Sequence, residues 1–157
     1  MKLRQAGRCL SRHYDAYTAA AGLKTTQYSL VSAILRQEPV QPSALAASLN
    51  LDASTLTRNL RPLIEHGWID VLPGTDARSR QIVTTAAGRA VRLEAQHYWR
   101  AAQKALIERL GADSVVALHA LLDQVLAAFA ADESAQVEAS TAGSAPARAR
   151  RSRSRRP

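Results

Sequence analysis

Two clusters of arginine carry the chemistry most open to reading from the sequence. In "LDASTLTRNLRPLIEHG", Arg58 and Arg61 follow Ser54, Thr55 and Thr57. On a helix, Ser54, Thr55, Arg58 and Arg61 fall on one face, with Thr57 at its margin. Small hydroxyl side chains let a helix approach a surface closely. Arginines reach phosphate oxygens or the O6/N7 edge of guanine. This is the chemistry of a helix laid in the major groove of double-stranded DNA, its N-terminal dipole drawing phosphates. The plain alternative is a solvated polar face. The second cluster, in "PGTDARSRQI", alternates Asp76, Arg78 and Arg80 with Ala77 and Ser79. In extended backbone that spacing sets all three charges on one side. Two guanidinium groups side by side repel unless an anion lies in front of them, and Asp76 can hold one of them through a charge-assisted bond.

Other reactive residues are sparse. Cys9 is the only thiol, flanked by Arg8 and Arg12. Nearby cations favour a reactive thiolate, so Cys9 is a candidate redox site, with a small buried core residue as the alternative. Tyr14, Tyr17, Tyr28 and Trp99, with His13, His97 and Tyr98, are candidates to line a pocket for a small aromatic or phenolic effector. Aromatic residues at helical spacing serve equally as core. The histidines at 13, 66, 97 and 119 show no i,i+4 ligand pair and there is no second cysteine, so no metal site is expected. No phosphate-binding glycine loop, nucleophile elbow or paired-carboxylate motif is present, and Cys9 with His13 is the only dyad on offer. The chain therefore reads as a non-enzyme without a cofactor.

The elements that must position the arginines follow from periodicity. Residues 2–20 read as a first helix, with Leu3, Ala6, Leu10, Tyr14 and Tyr17 in phase and Gly22 ending it. A second helix runs from a cap at Thr25 or Thr26 to about Arg36, with Tyr28, Val31, Ile34 and Leu35 inward. "PSALAASLN" is a short third helix opened by Pro42. The arginine-bearing fourth helix is capped by Asp52 or Ser54, has Leu56, Leu60, Leu63 and Ile64 on its apolar stripe, bends near Pro62 and stops at Gly67. Strands at 68–72 and 81–84 flank the charged loop, whose turn is set by Pro73 and Gly74. After Thr85 a long helix runs to about Leu110, and a last one spans Asp113 to about Ala130, with Val115, Leu118, Leu122, Val125 and Phe129 in phase.

Composition agrees with a helical protein. Aromatics are only 4% of 157 residues, so Ala and Leu, strong helix formers, supply most of the apolar content. No apolar run approaches the roughly 20 residues of a membrane span, and no signal-peptide stretch opens the chain, so a cytoplasmic, nucleoid-associated location is expected. The formal charge is +8, but six arginines lie in the terminal "ARARRSRSRRP"; subtracting six from eight leaves +2 for residues 1–147. Such a tail suits a polyanion, or is merely a solubilising extension.

A short helix, a second helix with an arginine face and a basic hairpin make a winged helix-turn-helix. "LDASTLTRNLRPLIEHGWIDVLPGTDARSRQIVTTAAGRA" resembles the recognition helix and wing of the MarR family of transcriptional regulators, and Asp76, Arg78 and Arg80 match its wing pattern. "GLKTTQYSLVSAIL" and "LRQAGRCLSRHYDAY" resemble its second and first helices. The resemblance implies a mainly α fold with a small β-hairpin wing: a winged helix-turn-helix lobe plus a helical dimerisation region. The expected organisation is 1–22, an N-terminal helix contributing to dimerisation; 23–88, the DNA-binding lobe; 89–131, C-terminal dimerisation helices; and 132–157, a disordered basic tail. It also implies a homodimeric repressor on a pseudo-palindromic operator, released by a small molecule or an oxidant. The competing expectation is an architectural protein that coats DNA through its arginine tail.

Overall fold

The computed structural model describes the backbone of residues 1–74 and 79–142, with side chains as far as residue 129. Asp76 and Arg78 lie outside the described residues, as does the tail from residue 143. Six helices and one hairpin occur among the described residues: α1 (Lys2–Thr18), α2 (Thr25–Gln37), α3 (Pro42–Ser48), α4 (Ala53–Glu65), β1 (Ile69–Pro73), β2 (Arg80–Thr84), α5 (Ala86–Leu110) and α6 (Ala112–Ala142). The expected class, mainly α with a two-stranded hairpin, is the observed one. Residues 1–109 form one compact unit and residues from 110 onward a second.

Local chemistry explains where the elements begin and end. A 3-10 turn, Ala19–Ala21, closes α1, and Gly22 stops it at φ 72°, a left-handed conformation cheap only for glycine. The cap of α2 is Lys24, one residue before the expected threonines; its N–H donates to Gln27 Oε1 at 2.8 Å. The Thr25 N–H donates to Asp15 Oδ1 of α1 at 2.7 Å, which draws Thr25 into the helix and ties α1 to α2. Pro42 opens α3 from a position where its missing N–H costs nothing. Helix α4 continues through Pro62 to Glu65. Thr85 caps α5 by accepting the Gly88 N–H at 3.0 Å.

The hairpin is one pair longer than expected. Pro73 ends β1 opposite Arg80, and the Gly74 N–H donates to the Ser79 carbonyl at 2.9 Å. Arg80 therefore opens a strand instead of lying in the loop. Beyond this ladder, Val40 and Ile82 exchange two backbone hydrogen bonds, of 3.2 and 2.8 Å, so the segment after α2 pins β2 from its other edge.

The main core joins α2 (Leu30, Val31, Ile34), α3 (Leu45), α4 (Leu56, Leu60, Leu63) and the hairpin (Ile69, Ile82). Ile64, expected inside, is 47% exposed and lines the groove between α4 and the hairpin. A second cluster sets Leu23, Tyr28 and Ala95 against Trp68 and Trp99.

Helix α6 corrects two expectations. It runs to Ala142 instead of ending near residue 130, because the alanine-rich segment after Phe129 contains no glycine or proline before Gly143. Its window Ala112–Phe129, with mean hydropathy 1.4, is also long and apolar enough, by length and composition, to cross a membrane. Asp113, His119 and Asp123 interrupt the apolar run, yet Ala, Leu and Val outweigh them on average. Val116, Leu121, Val125, Leu126 and Phe129 on this helix are exposed.

Candidate nucleic-acid interface

One face of α4 and the hairpin enclose a groove of about 700 Å³. Ser54, Thr57, Arg58 and Arg61 line it from α4, and Arg80 lines it from β2. Leu60, Ile64, Val71 and Ile82 supply its apolar floor. The structure thus brings together five of the eight residues singled out for DNA. Thr55 lies outside the groove wall and serves the cap instead, while Asp76 and Arg78 fall beyond the described residues.

The hydroxyls on α4 are already committed as donors. Ser54 Oγ donates to Asp52 Oδ1 at 2.6 Å, Thr55 Oγ1 to Asp52 Oδ2 at 2.7 Å, and Thr57 Oγ1 to the Ala53 carbonyl at 2.7 Å. The Thr55 N–H also donates to Asp52 at 2.7 Å. Ser54, then Thr55, hold the Asp52 carboxyl well below the usual carboxylate range. Two consequences follow. Asp52 meets the positive end of the α4 dipole with a carboxylate of the chain itself. In this geometry the hydroxyls offer lone pairs to a partner, and Thr57 a methyl group as well, leaving donation to the arginines.

Arg61 Nε pairs with Glu65 Oε1 at 2.7 Å, with both side chains mostly exposed. Such a pair is worth about 0–1 kcal/mol, so a phosphate can displace the carboxylate. Glu65 was missed in the sequence, although its i,i+4 spacing from Arg61 announces the pair. Lys24 was missed as well. It shares a cavity of about 250 Å³ with Arg58, Thr26, Gln27, Asn59 and Pro62, a neighbourhood that only the packing of α2 against α4 creates.

The aromatic candidates are packed on one another. Trp99 stacks on Tyr14 at 6.1 Å and on Tyr28 at 6.2 Å between centroids, and His13 lies 5.3 Å from the Tyr17 ring. Tyr14 donates to Gln103, and burial pushes its phenol up. These contacts join α1, α2 and α5. Cys9 is exposed, which corrects the alternative of a buried core residue; its sulfur accepts from Arg12 at 3.6 Å. His13 Nε2 bonds to the Ala102 carbonyl at 2.9 Å, so its ring serves packing and not the cysteine. His97 lies against Tyr98, and His66 stacks on Trp68. Among the described residues no group of His, Cys, Asp and Glu is placed to hold a metal ion.

A helix-turn-helix whose second helix faces a hairpin across a cationic groove defines the winged helix-turn-helix class. The family model for the MarR family matches residues 23–79. The transcriptional regulator MosR of M. tuberculosis, solved in complex with DNA, is 34% identical, with a TM-score of 0.69 over 82% of this chain and 95% of that one. A point mutant of MarR from E. coli, complexed with operator DNA, is 26% identical with a TM-score of 0.71, covering 79% of this chain and 90% of that one. An uncharacterised HTH-type transcriptional regulator of Bacillus subtilis, YwoH, is 26% identical over 84 residues; that match takes in 54% of this chain and 61% of the relative's length. The chain belongs to the MarR family. It is a transcriptional regulator and not an enzyme.

Proposed function

We propose that the protein binds double-stranded DNA as a homodimer on a pseudo-palindromic operator and represses transcription by occlusion. The observation that carries this reading is the groove in which Arg58 and Arg61 of α4 and Arg80 of β2 line one cavity. A groove with a cationic rim between a helix and a hairpin suits one phosphate strand, with α4 in the major groove and the wing at the adjacent minor groove. The relatives solved with DNA support it. Exposed Leu3 on α1, Leu93 and Ile107 on α5, and the apolar residues of α6 support the dimer, because such surfaces call for a partner. Two α4 helices then sit roughly 34 Å apart on the duplex.

Release follows a small aromatic or phenolic effector acting at Tyr14, Tyr17, Tyr28 and Trp99, or oxidation at Cys9. A cytoplasmic, nucleoid-associated location goes with this function. Titration of the operator complex with phenolic acids, and separately with peroxide or a thiol alkylator, tests each arm; unchanged affinity removes it.

The direct test is equilibrium binding to operator and random duplexes over a range of salt. Arg80→Ala is expected to cost about 1–3 kcal/mol where the arginine reads a base, or to lower the salt slope by about 1 where it touches phosphate. Wild-type affinity in an Arg58→Ala/Arg61→Ala/Arg80→Ala variant would overturn the reading. The arginine tail favours a second reading, DNA coating without sequence preference. A regulator prefers its operator by about 10³-fold or more, whereas a coating protein shows no preference.

A further inference from the structure

The described residues contain a carboxylate that the groove does not use. Glu38 lies one residue beyond α2, with its side chain only 14% exposed. Its Oε2 accepts the Thr84 N–H at 2.6 Å and the Thr84 hydroxyl as well. Its Oε1 accepts from Arg89, in the first turns of α5, at 2.6 Å. Two residues on, Val40 exchanges its two backbone bonds with Ile82. A three-residue segment thus grips the root of β2 and, through Arg89, the start of α5.

We propose that Glu38 is a positioning residue for the wing: it fixes the angle at which β2 leaves the core, and so where Arg80 stands against α4. This rests on the DNA-binding reading for its functional consequence. The lever is short and stiff. Arg80 is four residues along the strand from Thr84, about 13 Å at 3.3 Å per residue. A tilt of roughly 10° at the root moves Arg80 by about 2 Å, enough to lose a hydrogen bond. The chemistry also calls for a carboxylate. An N–H, a hydroxyl and a guanidinium converge on its two oxygens, so every partner donates. An amide of the same shape turns an NH₂ group toward one of those donors.

The test is a thermodynamic cycle combining Glu38→Gln with Arg80→Ala in the full chain. Operator affinity is measured against salt, and backbone amide shifts and hydrogen exchange of β2 are measured without DNA. The expected result is a roughly tenfold loss for Glu38→Gln, a salt slope lower by about 1, and no further loss when Arg80 is already alanine. Thr84→Val and Arg89→Ala, each removing a single donor, are expected to show the same dependence on Arg80 if Glu38→Gln folds poorly. Losses that multiply with that of Arg80→Ala would overturn the proposal. So would unmoved β2 amides in folded Glu38→Gln or in the two single-donor variants, whatever the DNA measurements give. A wild-type protein that binds no duplex would instead count against the DNA reading alone.

Discussion

Asp52 gathers three donors from two of the residues that the sequence offered as DNA contacts, and so sets what Ser54 and Thr55 can do. That Arg58 and Arg61 share a face was legible, because helical spacing alone sets it. The donor direction of a hydroxyl was not, because a serine near a helix start can face the cap or the partner, and only the rotamer decides. Because the folded protein holds the Asp52 carboxyl below its ordinary value, its contribution to stability is fully present above about pH 4 and is lost as pH falls toward the folded value. Asp52→Ala is accordingly expected to lower the melting temperature at pH 7, with a gap from wild type that narrows progressively below about pH 4. Melting followed by circular dichroism at several pH values checks it; a gap independent of pH would separate Asp52 from the cap.

At the level of elements, α5 starts hard against the strand that leads into the wing. A Cβ on Gly88 would lie 1.9 Å from the Trp68 carbonyl oxygen, and Thr85 bonds back to Gly67 and Trp68. Gly88→Ala must therefore push backbone from backbone. A loss of about 1–3 kcal/mol or more, by denaturant titration, is the expected outcome. Near-wild-type stability would mean that α5 and the wing root are not in register as described. Periodicity and capping residues revealed the six α-helices of the described residues, because those signals are local: Pro42, Asp52, Gly67 and Thr85 each mark a boundary in the chain itself. What stayed hidden is long-range. The Glu38–Thr84 bonds span 46 residues, Val40 pairs with Ile82, and Ile64 lies in the groove and not in the core. The end of α6 was misplaced because an alanine-rich segment with interspersed Ser and Glu looks the same whether read as tail or as helix.

For the whole molecule, residues 1–109 carry the groove while the exposed apolar side chains of α6 belong to the second unit. Removing residues 143–157 takes away all six tail arginines. Binding to operator and random duplexes is expected to weaken together, with the salt slope falling and the preference between them kept. Loss of preference on truncation would make the tail the reader. The most direct measurement of the central claim is selection of bound duplexes from a random pool, using the full chain at a concentration where sedimentation gives a dimer. An inverted repeat with half-site centres about 10 base pairs apart, lost from the selected pool when Arg58, Arg61 and Arg80 are all alanine, is the predicted result. Enrichment of a lone half-site, or of no sequence at all, would contradict it.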